Sequence, residues 1–258
     1  MRKGRIFLVF AAGTSLVLVS IHAPVLAEGT KSEHRIAVPA PTPTPSTDSR
    51  PAADRHFDTV LECLIQNRQD LMSYHWVENT VVRASGQSSA SQTSICRFDE
   101  KAHLRRTPLA PHGASADVYL AKSEQAESVK QPPLAPDARA ALELMNAYMP
   151  PDPDRLQHCK EHGEMTMTVT EPGKQVRLDF KNYMKPGDRV AVMLNLATGR
   201  IANVTANTFF DKSTDAVTLN AQMATIKNRH TAYPAKISID SPARQLSVMV
   251  TNSEYRKL

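Results

Sequence analysis

Strict alternation in the C-terminal third limits the folds open to this chain. Val176, Leu178 and Phe180 alternate with Arg177 and Asp179. Past the turn Lys185-Pro186-Gly187-Asp188, Val190, Val192, Leu194 and Leu196 alternate again. Ala197-Thr198-Gly199-Arg200 turns the chain once more into residues 201–210, and further strands fit 217–225, 235–240 and 245–250. Successive side chains of a strand point to opposite faces, so such a pattern buries one face and wets the other. Short strands with turns about every ten residues suit an antiparallel meander.

Upstream the period changes. Phe57, Val60, Leu61, Leu64 and Ile65 recur at helical spacing, and Leu71 and Met72 continue the stripe. The run Tyr74-His75-Trp76-Val77 through Val82 is aromatic and β-branched, as a strand prefers. A second strand is expected at 93–98, and 104–107 extends the pairing until Pro108. Residues 108–136 form an irregular, proline-bearing insertion, with a short helix expected inside it at 117–130. A helix then runs from Asp137 to about Met149, where Pro150-Pro151 stops it. Asp152 can cap a second helix with Pro153 in its first turn, and Gly163 ends it.

The N-terminus reads as an export signal. Arg2, Lys3 and Arg5 precede an uncharged, mostly apolar run over residues 6–21, and Pro24 and Val25-Leu26-Ala27 follow. That run of 16 residues is shorter than the roughly 20 that span a bilayer, so cleavage after Ala27 is expected. Residues 28–55 are polar and proline-rich, a spacer, with 56–258 as a single domain. The mature protein is then periplasmic or secreted, with no transmembrane span. Removing residues 1–27 takes away three bases and no acid, which leaves 28 bases against 26 acids and a net charge of +2. The charges alternate in sign along the chain, which argues against nucleic acid as a partner. Cys63, Cys96 and Cys159 allow one disulfide and one spare thiol in an oxidising compartment, and their spacing leaves the pairing open.

No nucleophile elbow, phosphate-cradling glycine loop or zinc-hydrolase pattern is present. His158, Cys159, His162 and Glu164 are the tightest group of potential metal ligands. Two histidines four apart share a helix face, but Gly163 ends the helix before Glu164, and a polar helix end accounts for them. Neither a metal nor a cofactor is expected, and no enzymatic activity.

Several phrases carry a resemblance. They are Leu71-Met72-Ser73-Tyr74-His75-Trp76, Tyr148-Met149-Pro150-Pro151-Asp152-Pro153, Phe180-Lys181-Asn182-Tyr183-Met184-Lys185-Pro186-Gly187-Asp188, Asp240-Ser241-Pro242-Ala243 and Thr251-Asn252-Ser253-Glu254-Tyr255-Arg256-Lys257-Leu258. Together they resemble a family of uncharacterised exported bacterial proteins over about residues 57–258, outside 110–135. That resemblance implies no particular activity.

The order of elements is distantly similar to periplasmic lipoprotein-carrier and sensor domains (LolA-like). It implies an α+β fold in which a curved, half-barrel-like antiparallel meander packs against two or three helices. In such an architecture Val176, Leu178, Phe180, Val190, Val192 and Leu194 would form an apolar face for a lipid or acyl chain, with Trp76 near its mouth. The alternative is an assembly domain that contacts another envelope protein and takes no small ligand.

Overall fold

The computed structural model describes residues 50–85, 89–100, 103–109, 134–227 and 231–258. The chain divides between Thr47 and Asp48, and the described residues all belong to the second unit. The signal and most of the spacer expected over 1–55, and the helix expected at 117–130, therefore lie outside the described residues.

Helix α1 spans Ala52–Leu71 and starts after Pro51, so residues 52–55 are helical rather than part of a spacer. Asp54 in its first turn and Arg68 in its last complement the helix dipole. Phe57, Val60, Leu64 and Leu71 form its buried stripe. Strands β1 (Tyr74–Ala84), β2 (Ala90–Phe98) and β3 (Leu104–Pro108) follow as an antiparallel meander.

Helix α2 (Pro136–Tyr148) opens on a proline, whose missing N–H costs nothing there. Helix α3 (Pro153–Glu161) is capped by Asp152, whose carboxylate accepts from the N–H groups of Asp154 and Arg155. Gly163 leaves α3 with φ +71°, a conformation that costs other residues more.

Seven strands complete the chain: β4 (Met165–Glu171), β5 (Gln175–Lys181), β6 (Arg189–Asn195), β7 (Arg200–Phe209), β8 (Ala216–Thr225), β9 (Ala232–Ser241) and β10 (Leu246–Lys257). They form one curved, open antiparallel sheet in the order β3-β2-β1-β10-β9-β8-β7-β6-β5-β4. The fold is the expected α+β half-barrel, with three helices among the described residues. α1 lies against β6, β7, β9 and β1, α2 against β10, and α3 against β5.

Strand β4 is one that the alternation did not single out. Met165, Met167 and Val169 alternate with threonines and pair with Phe180, Leu178 and Val176 of β5. As an edge strand it is largely exposed, so its pattern is less apolar than its neighbours'.

The helices are fastened to the sheet by a buried polar knot. Asp188, at the end of the β5–β6 turn, is 1% exposed. Its carboxylate accepts from the Tyr148 hydroxyl at 2.5 Å and from the N–H groups of Met184 and Lys185. Tyr148 also shares a hydrogen bond with the Thr208 hydroxyl, and the Asp152 N–H donates to the Tyr183 oxygen. Burial pushes the Tyr183 hydroxyl up to about 12. At the other end of α2, Arg244 reaches Asp137 and Asp215 while stacking on the Phe210 ring.

Among the described residues, His75 and Ser241 are buried with no side-chain hydrogen-bond partner, and the histidine is the one that titrates. Both ring nitrogens of His75 are buried and unpaired, and burial, then the charge of Arg256, lowers its pKa. A lowered pKa means the unfolded chain takes up this proton first. Stability is therefore level above about pH 6.5 and falls as pH drops through the unfolded value toward the folded one. Thermal unfolding between pH 7.5 and 5 will show a smaller acid loss for His75→Phe than for the parent, and parallel curves would remove this explanation.

Candidate functional site

Trp76 sits where the ladder between β1 and β10 is irregular. The register shifts between His75 and Val77, and such a bulge re-aims the side chain it carries. The indole stacks on Tyr255 at 5.3 Å and 10°, and it leans on Phe98 at 5.5 Å. Its N–H donates to Asn252 Oδ1 at 3.1 Å, and the Asn252 amide donates in turn to the Pro234 carbonyl. The buried indole is thus both packed and satisfied.

This aromatic cluster floors a groove of about 80 Å³ beneath α1 and α2. Leu64 and Leu71 of α1, Met145 and Met149 from the end of α2, and Met223 of β8 supply aliphatic walls. Thioether side chains repack at little cost, which suits a surface that must accept an irregular guest. A wider dish of about 390 Å³ lies beside Arg83, Pro242 and Gln245, but it is open to solvent and bordered by the ends of β1, β9 and β10.

One wall of the groove is polar. Glu78 is buried and receives Arg106 in a bidentate pair, Nε to Oε1 at 2.8 Å and Nη2 to Oε2 at 3.2 Å. Arg106 also donates to Asn146 Oδ1 at 3.0 Å, which ties α2 to the β1–β3 end of the sheet. Burial and the nearby Glu78 charge raise the Cys96 thiol far above its usual range, so it stays protonated and inert. Burial likewise raises the Tyr255 hydroxyl. The wall itself thus consists of a satisfied ion pair and a protonated phenol, with the inert Cys96 thiol behind it outside the lining.

No protein-family model matches the chain, and comparison with curated proteins finds no match. Solved structures do resemble it. A DUF1329 family protein from Desulfovibrio piger is 9% identical, with 80% of this chain and 92% of that one covered and a TM-score of 0.42. A LolA superfamily protein from Nitrosomonas europaea is 8% identical, with 81% and 94% covered and a TM-score of 0.40. A domain from Vibrio parahaemolyticus described as outer membrane lipoprotein-sorting is 9% identical, with 78% and 93% covered and a TM-score of 0.37. The distant likeness to lipoprotein-carrier-like domains is thus met in solved structures, as a likeness of fold.

The residues expected to hold an apolar ligand separate into two places. Trp76 lines the groove. The other six form three cross-strand pairs, Val176 with Leu194, Leu178 with Val192 and Phe180 with Val190. All six are at most 1% exposed, and Phe180 meets Phe57 of α1 with ring centroids 6.1 Å apart. They fill the closed core, and none of them lines the groove. Sequence reasoning missed Leu64, Met145, Met223 and Tyr255, which meet only through the tertiary fold.

The His158 and His162 rings meet at a tilt of 42° with centroids 4.0 Å apart, and His162 Nδ1 lies 2.8 Å from the His158 carbonyl. Among the described residues, no group of three or more histidine, cysteine, aspartate or glutamate side chains is placed to hold a metal ion. The three cysteines are unpaired; Cys63 donates to the Gly199 carbonyl, and Cys96 and Cys159 are buried. No helix among the described residues is long and apolar enough to cross a membrane.

Proposed function

We propose that this chain is an exported envelope protein that binds an apolar ligand, a lipid or acyl chain, without catalysis, in the groove floored by Trp76. One observation carries the reading: an aromatic and methionine-rich recess whose Glu78–Arg106–Asn146 wall is already internally satisfied, with Arg68 at its edge. Such a lining rewards removal of apolar surface from water and offers no group for bond chemistry. At about 80 Å³ the recess admits the end of a chain, and a longer guest enters as Met145 and Met149 repack and α2 shifts. Export, with cleavage behind Ala27, supplies the compartment where such a ligand is met.

The test uses the protein's single tryptophan, which is Trp76 itself. Titrating a medium-chain fatty acid below its micelle concentration will shift or quench its emission in a saturable way. Native mass spectrometry will show one bound acyl chain. A flat titration together with an empty mass spectrum would exclude the carrier reading and leave the assembly domain.

A further inference from the structure

Four large apolar side chains are well exposed among the described residues, and three of them gather at one place. Ile65 is 45% exposed and Met72 is 37% exposed. They lie seven residues apart, so they share a flank of the C-terminal half of α1. Leu258, at 63%, joins them because its N–H donates to the Ser73 carbonyl beside Met72. Arg68 lies between Ile65 and Met72 along that flank, is exposed, and also lines the groove. Neither Arg68 nor the neighbouring Lys257 has an ion-pair partner among the described residues. The nearest acid on α1, Asp70, is bound by Gln66 and Thr231.

We propose that this lip of the groove, Ile65, Arg68, Met72, Lys257 and Leu258, docks on the surface of an anionic lipid bilayer. The argument is charge complementarity joined to apolar exposure. A bilayer interface takes up scattered aliphatic side chains in its headgroup boundary, while the phosphate layer attracts cations that the protein leaves unpaired. Two cations and three aliphatic side chains give reversible contact rather than anchoring. The contact would hold the groove mouth against the lipid. Docking does not require the groove to be loaded, so the two ideas fail separately.

Co-sedimentation of residues 28–258 with vesicles tests it. Binding is expected on vesicles of phosphatidylglycerol and phosphatidylcholine in equal parts, not on phosphatidylcholine alone, and it weakens with salt. Ile65→Ser and Met72→Ser will each weaken it roughly tenfold, as loss of a buried aliphatic side chain does. Arg68→Gln will weaken it as well, and will make what remains less sensitive to salt. Val169→Ser, at the fourth exposed apolar position on edge strand β4, will leave it unchanged. Ile65 and Met72 do not line the groove, so their variants keep acyl-probe binding. Equal binding to both vesicle types, or indifference to Ile65→Ser and Met72→Ser in folded protein, overturns the proposal. So does absence of vesicle binding in a protein that still takes up acyl probe from solution.

Discussion

Asp188→Ala will lower unfolding free energy by about 3–5 kcal/mol in urea titrations, a large share of a domain's usual reserve. The size follows from what the alanine abandons. The Tyr148 hydroxyl and the N–H groups of Met184 and Lys185 all donate to this carboxylate, and Asp188 and Tyr148 are almost wholly buried. No water replaces the lost acceptor at such a site without opening the packing between α2 and the β5–β6 turn. Tyr148→Phe removes a hydroxyl that donates to Asp188 and accepts from Thr208, but it leaves the carboxylate its two backbone donors, so it will cost less, about 1–3 kcal/mol. The double variant will cost less than the sum, because the two residues share one bond. A loss below about 1 kcal/mol for Asp188→Ala would mean that this knot adds little to what already holds α2 against the sheet.

Phe180→Ala will destabilise by about 3–5 kcal/mol and leave acyl-probe affinity unchanged in the fraction that stays folded. Phe180 is 0% exposed, pairs with Val190 across the strands and packs on Phe57 of α1. Its removal leaves a cavity in the sealed core, away from the groove. Trp76→Ala will do the reverse to binding: it removes the groove floor and strands Asn252 without its indole donor. If Phe180→Ala abolished probe binding while circular dichroism remained native, the β5–β6 face would return as part of the ligand site.

Local chemistry made most of the fold legible. Phe57, Val60 and Leu64 announce α1 because helical spacing leaves them on one face, and all three are buried. Asp152-Pro153 and Gly163 bound α3 through capping and backbone freedom. Where the reading fell short, the signal was diluted. Met165-Thr166-Met167-Thr168 alternates, but an edge strand wets both faces and loses contrast. Strand β9 starts at Ala232, before Pro234, a residue that usually marks the end of pairing. Strand β10 continues past Val250 to Lys257 through Glu254, whose φ is +54°.

The candidate site was legible in one residue only. Trp76 stands out in sequence as an aromatic at a helix–strand junction, and it both packs in the core and floors the groove. Val176 through Leu194 carry the cleanest alternation, and that regularity is what closes them under α1. A strongly apolar face is the one a helix covers best. The groove opens where the pattern is mixed, and Leu64, Met145, Met223 and Tyr255 converge there from four separate segments.

The pairing of β1 with β10 places the earliest strand beside the latest, in the interior of the sheet. The β3-β2-β1 hairpins join the other seven strands through that one seam. A chain made N-terminus first cannot zip the seam until β10, Leu246–Lys257, has arrived. Until then it carries two raw edges that a holding chaperone would have to shield. Protein halted short of residue 246 will accumulate as two unjoined sheets and be cleared by proteases, whatever the quality of the remaining core.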